Sequence, residues 1–400
     1  MIKVNKVKTE NLDTATIIYC DYENSGFNDR LWYEVNDDWS EYFSTDCADA
    51  FFVVLVLLAH YQGQDISFAT PVSTRLYYGV TEILLPGLRV LNPELPAINV
   101  IAETQDFSFD PNGVGTALSL GVDSFHAVAS SFDTPYPVTH LTLFNSGAFG
   151  DYGGEGSRTL FQKTIESVNK AAVEMNLPLI TVDSNISEVL NVSFVPTHSI
   201  RNLSFALLFP SLFSCFYYAS GYPVSKFKLD PLSVDATHYD LLIAKALCTE
   251  SFEVMVAGLH DDRIDKIATI GSFEPSNHHL NVCILAESNE FLDRSNGQVQ
   301  NCSQCFKCVK TMVAMDALGV LDNYADVFDL ELYHSERPKY LGWILYDAKK
   351  LKSSHALEII REGQMVPGFF PLKAYKYAFS KGSKNLMRKL QNRRKSKKSS

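Results

Sequence analysis

The pattern of apolar and polar positions changes rhythm near residue 114. Before it, short alternating runs at Ala15–Cys20 and Leu31–Val35 read as strands with one buried face. They precede Ala48–His60, an almost continuous apolar run whose length fits a buried helix better than a strand. Leu88–Leu91 and Ile98–Ile101 add strand-like material, and the turn cluster Asp110–Gly113 closes this part. From Val114 onward apolar strand-length runs alternate with helix-length segments. Strands are expected at Val114–Ser119, His140–Asn145, Pro178–Val182 and Cys215–Ala219, with helices from about Ser124, near Leu160–Met175 and over Ser199–Phe209. Such alternation predicts an α/β fold, a parallel sheet with crossover helices on both faces, whose ligands sit beyond the carboxyl ends of the strands. Residues 331–380 read as helical, at Ala348–Arg361 and Leu372–Phe379, and no internal repeat is visible.

The expected organisation is therefore an N-terminal α+β domain over 1–110, an α/β domain over 111–330, a helical region over 331–380 and a tail over 381–400. An apolar content of 46% over 400 residues supports real cores. No long apolar core follows the N-terminal lysines, as a signal peptide would need. Phe51–Ala59 is too short to span a bilayer, and Leu203–Ala219 is interrupted by Pro210 and three serines. The expectation is a cytoplasmic protein without a membrane partner. Charge adds one feature. The net charge is −11, yet residues 381–400 carry nine Lys/Arg and no acid; without those nine the remainder stands at −20. An acidic body argues against nucleic-acid binding by the folded part and leaves the basic tail as the place where such a contact would lie. A solvated terminal segment accounts for the tail equally well.

Two stretches carry candidate chemistry. In Ser119-Leu120-Gly121-Val122-Asp123-Ser124 the chain leaves a strand, turns and opens a helix. Unpaired amides at a helix N-terminus, together with its dipole, suit an anion. Ser119 and Ser124 can add hydroxyl donors, and Gly121 allows a close backbone approach and a positive φ. Asp123 can cap the helix or hold a Mg²⁺. An ordinary capped strand-to-helix turn is the plainer alternative. The second stretch is Cys302-Ser303-Gln304-Cys305-Phe306-Lys307-Cys308, a C-x₂-C-x₂-C knuckle. Three thiolates at this spacing converge on one tetrahedral ion, and Cys283 is the nearest fourth ligand. A closed four-cysteine shell implies a structural Zn²⁺; an iron–sulfur cluster would use the same ligand number. Eight cysteines, unevenly spread, do not form a secreted disulfide framework, and Cys20, Cys47, Cys215 and Cys248 sit in apolar contexts.

The loop resembles the Ser-Gly-Gly-x-Asp-Ser motif of the ATP pyrophosphatases, the nucleotide-alpha-hydrolase superfamily, with Leu120 where that family has its first glycine. Loop and knuckle in this order resemble the 7-cyano-7-deazaguanine synthases. So do Val195-Pro196 followed by Arg201-Asn202, and Ser220-Gly221-Tyr222-Pro223, although the family continues with Asp-Cys-Arg where this chain has Val224-Ser225-Lys226. The resemblance covers residues 114–320 and is closer to divergent relatives, some of them in anti-phage systems, than to the tRNA-precursor enzyme. It implies an ATP-dependent ligase that activates a carboxylate as an acyl-adenylate, releases pyrophosphate and passes the acyl group to an amine donor. The implied cofactors are ATP, Mg²⁺ and Zn²⁺. Ser119, Leu120, Gly121, Val122, Asp123 and Ser124 would hold the nucleotide, with Asp123, Ser124 and Arg201 as catalytic candidates. Arg201, Asn202 and Tyr222 would meet the substrate. Arg201 could bind an anion bidentately or be a solvated helix-start residue. Asp183 could face a nucleotide or cap a turn, and His198, His238, His260, His278 and His279 show no metal spacing. Residues 1–110 are the candidate protein-docking surface. An inactive nucleotide-binding subunit is the competing reading.

Overall fold

The structure is a computed structural model that describes residues 1–233, 235–283 and 301–381. It divides into two units, residues 1–119 with 126–260, and residues 120–125 with 261 onward.

The first unit is built on a long mixed sheet. Its strands are β1 (Ile2–Val4), β2 (Lys8–Asn11), β3 (Ala15–Asn24), β4 (Phe27–Asn36), β5 (Ile66–Phe68), β7 (Val100–Ile101), β9 (Gly113–Ala117), β10 (His140–Phe144), β11 (Leu179–Ser184), β12 (Phe213–Ala219) and β13 (Glu253–Ala257). The short pair β6 (Val72–Ser73) and β8 (Thr104–Gln105) stands apart. The main sheet runs β13-β12-β9-β10-β11-β4-β3-β1-β5-β7, with β2 on β3. Its first five strands are mutually parallel. Numbered by their order in the chain from β9, these five read 3-2-1-4-5, the doubly wound order that reverses beside its first strand. The expected parallel sheet is present, with a fifth strand, β13, in addition to the four expected.

The N-terminal residues do not form the separate domain expected over 1–110. β4 pairs antiparallel with β11, Glu34 opposite Asp183, so the β3–β4 hairpin extends the same sheet. Alternation in β3 and β4 left this open, because a half-buried strand pairs equally well at the edge of another sheet. Helix α1 (Asp49–Gln62) is buried over Asp49–His60 and packs against α7 (His198–Ala206). A helix apolar all round belongs inside a core, which explains why its sequence shows no amphipathic stripe. Leu88–Leu91 is helical and not a strand, belonging to α3 (Leu85–Leu91), which follows α2 (Thr74–Gly79) and a π turn.

The crossover elements are α4 (Val122–Ser131), α5 (Glu155–Glu174), α6 (Ile186–Leu190), α7 and α8 (Asp240–Ala246). In α5, Phe161, Val168 and Ala172 are buried at helical spacing, which lays one face on the sheet. Gly115 in β9 faces Phe216 of β12, and a Cβ there would come within 2.7 Å of the Phe216 ring and 2.8 Å of the Phe213 ring. The central strand is thin at this point so that two aromatic side chains can close over it.

The second unit is helical: α9 (Arg263–Gly271), α10 (Glu274–His279), α11 (Phe306–Leu318), α12 (Leu330–Tyr346), α13 (Ser354–Met365) and a last helix over 372–381. α11 is central, with Cys308, Val309, Met312, Val313 and Met315 buried, and it touches α9, α12 and α13. The helix expected over Ala348–Arg361 is interrupted, because α12 continues through a π turn to Leu351, Lys352 turns left-handed at φ 52° and Ser353 caps α13. No described helix is long and apolar enough to cross a membrane.

Candidate functional site

The chain leaves β9 at Ala117 and enters α4 at Val122, so the candidate phosphate loop is a strand-to-helix turn as its residues suggest. The left-handed residue in it is Leu120, at φ 61°, and not Gly121. A leucine in this region is strained by its Cβ, at a cost of about 1–2 kcal/mol. Two contacts hold it: the side chain is buried, and its carbonyl accepts a hydrogen bond from Asn281 N at 2.8 Å. Gly121 O accepts from Phe125 N at 3.1 Å and from Ser124 Oγ at 3.0 Å.

Asp123, in the first turn of α4, lies between two cations of α9. Arg263 Nη2 is 2.8 Å from its Oδ2, and Lys266 Nζ donates to its Oδ1 at 3.1 Å. Lys266 is 1% exposed, Asp123 27%. Burial opposes ionisation of Asp123, but Arg263 and Lys266 outweigh it and hold the carboxyl below its usual value. α9 is itself fixed by a capping box in which Asp262 accepts from Asp265 N and Asp265 from Asp262 N. From α13, His355 is kept neutral down to about 3 by burial and by Arg263 and Lys310, and its Nε2 has no hydrogen-bond partner among the described residues. The second unit thus sets Arg263 and Lys266 on one carboxylate, with His355 in electrostatic reach of it. Sequence reading missed all three, since a lysine and an arginine on a helix look like any solvated face.

The cysteine cluster is assembled as expected. The Sγ atoms of Cys283, Cys302, Cys305 and Cys308 lie within 4.8 Å of one another, with Cys305–Cys308 at 3.4 Å and Cys302–Cys308 at 3.9 Å. Four sulfurs around an ion at about 2.3 Å would be about 3.8 Å apart in a tetrahedron, so the donor set fits a metal ion such as Zn²⁺. Backbone amides point at the sulfurs, Cys305 N to Cys302 Sγ at 3.2 Å and Cys308 N to Cys305 Sγ at 3.5 Å. Asn301, absent from the sequence reading, clamps the knuckle: it accepts from Val282 N and donates to Leu280 O and Val327 O. The intervening segment 284–300 lies outside the described residues, as does the tail over 382–400.

In the first unit, Arg201 departs from its expected role. It is fully buried, with its guanidinium donating to the carbonyls of Ser146, Asp151 and Val192 and to Ser187 Oγ. Burial lowers its pKa to about 10. It ties together the loops after β10 and β11, and its contacts are those of a scaffold residue. Asn202 accepts from Ser146 Oγ at 2.6 Å, and Tyr222 stacks on His238 at 4.9 Å. Asp183, near the end of β11, accepts from Asn145 Nδ2 at 2.6 Å and Ser184 N at 2.8 Å, and Arg158 Nε lies 3.8 Å from its Oδ2, so it neither caps a turn nor stands free. His198, assigned no chemistry from sequence, bridges Tyr218 Oη at 2.6 Å and Asp235 Oδ1 at 3.2 Å. Despite partial burial, hydrogen bonds from His198 and Thr237 hold Asp235 down to about 2. Neighbouring Asp240 is raised by burial, against hydrogen bonds from Ser199 and Ser220; its Oδ1 accepts from Ser199 Oγ at 2.5 Å.

Comparison of the chain with protein-family models, with curated proteins and with solved structures returns no match.

Proposed function

We propose that the chain is an ATP-using adenylating enzyme of the nucleotide-alpha-hydrolase type, a ligase that activates a carboxylate and transfers its acyl group to an amine. The observation that carries this reading is Asp123, a carboxylate in the first turn after the loop, paired with Arg263 and Lys266. The 3-2-1-4-5 strand order supports it, because loop 119–124 follows the strand beside which that order reverses.

In this reading a carboxylate oxygen attacks the α-phosphorus of ATP. The bond to the β-phosphate oxygen breaks and pyrophosphate leaves with its electron pair. The amine then attacks the acyl carbon, loses a proton, and AMP departs. Arg263 and Lys266 act by charge: they shift from Asp123 toward the leaving phosphates, with Ser119, Ser124 and the α4 amides completing the cradle. Asp123, so released, is the carboxylate available to Mg²⁺, which neutralises phosphate charge when bound. The sequence resemblance alone offers Asn202 and Tyr222 for the acceptor, and Arg201 serves as scaffold for the loops after β10 and β11. Zn²⁺ in the cysteine cluster would be structural. The substrate class is a planar, heteroaromatic carboxylate on the strength of the sequence resemblance alone.

A second reading, a nucleotide-binding subunit without catalysis, is favoured by the buried, left-handed Leu120, which puts a side chain where the resembled loop has none. Pyrophosphate release from ATP and Mg²⁺, measured with and without 7-carboxy-7-deazaguanine, separates the two. Release that disappears in Asp123→Ala supports the enzyme. ATP binding without release for any carboxylate offered supports the subunit, and no ATP binding removes both.

A further inference from the structure

A chain of hydrogen-bonding side chains runs along the carboxyl edge of the first unit's sheet. α7 opens with His198, and Asn202 follows one turn later on the same face. Asn202 accepts from Ser146 Oγ, in the loop after β10. His198 meets Tyr218, the penultimate residue of β12, with Nδ1 2.6 Å from Tyr218 Oη. β9 lies between β10 and β12, so α7 links the two strands that flank the one beside which the order reverses, where ligands of such sheets bind. On its other side, His198 Nε2 is 3.2 Å from Asp235 Oδ1, which also accepts from Thr237 N at 3.0 Å and Thr237 Oγ1 at 2.7 Å. Exposure rises outward, from 17% for the His198 side chain to 35% for Asp235.

The partners fix the direction of each bond. Asp235 is ionised down to about 2 and can only accept, so in the neutral ring of His198 the hydrogen sits on Nε2. Ser199 Oγ, 3.2 Å from Nδ1, gives its hydrogen to Asp240 Oδ1. Nδ1 is left as the acceptor for the Tyr218 O–H. Burial and the Asp240 charge hold that phenol protonated well above its usual range, against hydrogen bonds from Ser199 and Asn202. Hydroxyl, imidazole and carboxylate thus stand in the order of an activated base, with a tyrosine at its inner end. We propose that Tyr218, His198 and Asp235 form a proton relay for the transfer half of the reaction, an inference that rests on the adenylating reading above. As the amine nitrogen bonds to the acyl carbon, its proton passes to Tyr218 Oη while the Tyr218 hydrogen passes to His198 Nδ1. The bond from the acyl carbon to AMP breaks, and AMP leaves with the electron pair. The imidazolium so formed is stabilised by Asp235 and returns its extra proton to water after the products leave. Tyr218 is the catalytic residue here; His198 and Asp235 act through it.

The test uses the full chain, with 7-carboxy-7-deazaguanine as the carboxylate probe, and compares two rates. ATP–pyrophosphate exchange reports adenylation alone; product formation with ammonium or with hydroxylamine reports transfer. Hydroxylamine is unprotonated at neutral pH and strongly nucleophilic, so it has little need of a base. In Tyr218→Phe, which removes a single oxygen, the ratio of ammonium transfer to exchange should fall roughly a hundredfold, and hydroxylamine should restore it to within about tenfold of the wild type. Asp235→Asn, which favours the other ring tautomer, should lower the same ratio by roughly a hundredfold. Exchange that persists with the ratio unmoved in both variants would overturn the relay and leave the adenylating reading standing. Exchange and transfer that fall together, with hydroxylamine no better than ammonium, would overturn it too and make the network a brace between α7 and β12. A wild type without any exchange would remove the adenylating reading, and the relay with it.

Discussion

Removing the Asp123 carboxylate should destabilise the second unit in a way that depends on Lys266. At 3.1 Å, the attraction between Lys266 and Asp123 is about 5 kcal/mol for an effective dielectric of about 20. Desolvation cancels part of it. Because Asp123 and Arg263 are each more than a quarter exposed, their own pair is discounted for screening, and Lys266, at 1% exposure, dominates. Asp123→Ala should therefore cost about 3 kcal/mol, or a drop of about 10 °C in thermal midpoint for a unit of this size. Lys266→Met should cost only about 1 kcal/mol, since it removes a buried charge and leaves Arg263 on Asp123. The double variant should be no worse than Asp123→Ala alone, a coupling of about 1–2 kcal/mol in a double-mutant cycle read by urea unfolding. The pH dependence follows from the lowered carboxyl: stabilisation by Asp123 is complete above the ordinary carboxylate pKa of about 3.9 and is lost as pH falls through the lower folded value. The difference between wild type and Asp123→Ala should thus be flat from neutral pH to about 4 and shrink below. Additive single effects, within about 0.5 kcal/mol, would refute the paired-charge account.

Three other outcomes are expected. Purified protein should carry about one tightly held metal ion per chain by elemental analysis, and Cys302→Ser with Cys308→Ser should abolish it and lower the thermal midpoint; unchanged metal content would place the ion elsewhere. At Leu120, both Gly and Ala lose the buried side chain, but only Gly relieves the left-handed backbone, so Leu120→Gly should be about 1 kcal/mol more stable than Leu120→Ala in urea. Asp240 is raised by burial, so the folded state holds its proton better than the unfolded chain, and stability is lost as pH rises through its folded value. Asp240→Asn should then be about 1 kcal/mol more stable than wild type at pH about 8, with no difference below about 4; a variant less stable at both would show that the carboxylate is needed.

Elements that bury one face or stop abruptly were legible in the chain. The strands of the parallel sheet announced themselves as apolar runs between turns, and the cysteines at C-x₂-C-x₂-C fixed their own meeting point. Position in the sheet was not legible. β13 reads EVMVA, too short and too near a helix pattern to be told from one, and β4 alternates identically whether it edges its own sheet or joins β11. The candidate site divides in the same way. Loop 119–124 was visible from its turn residues, but Arg263, Lys266 and His355 come from α9 and α13, and only the fold brings them to Asp123. Arg201 was misread for a related reason: an arginine at a helix start has the same sequence signature whether it faces solvent or is surrounded by carbonyls.

The burial of α1 has a consequence for synthesis on the ribosome. The helix is complete by residue 62, yet α7, against which it packs, begins at residue 198. At about 5–20 residues per second, a run of twelve residues with almost no polar face waits roughly 7–30 s for its cover. During that interval the nascent chain presents a surface that chaperones bind and that other chains can join. Yield of soluble protein should therefore respond to translation rate and to holdase supply more strongly than the stability of the finished fold would suggest.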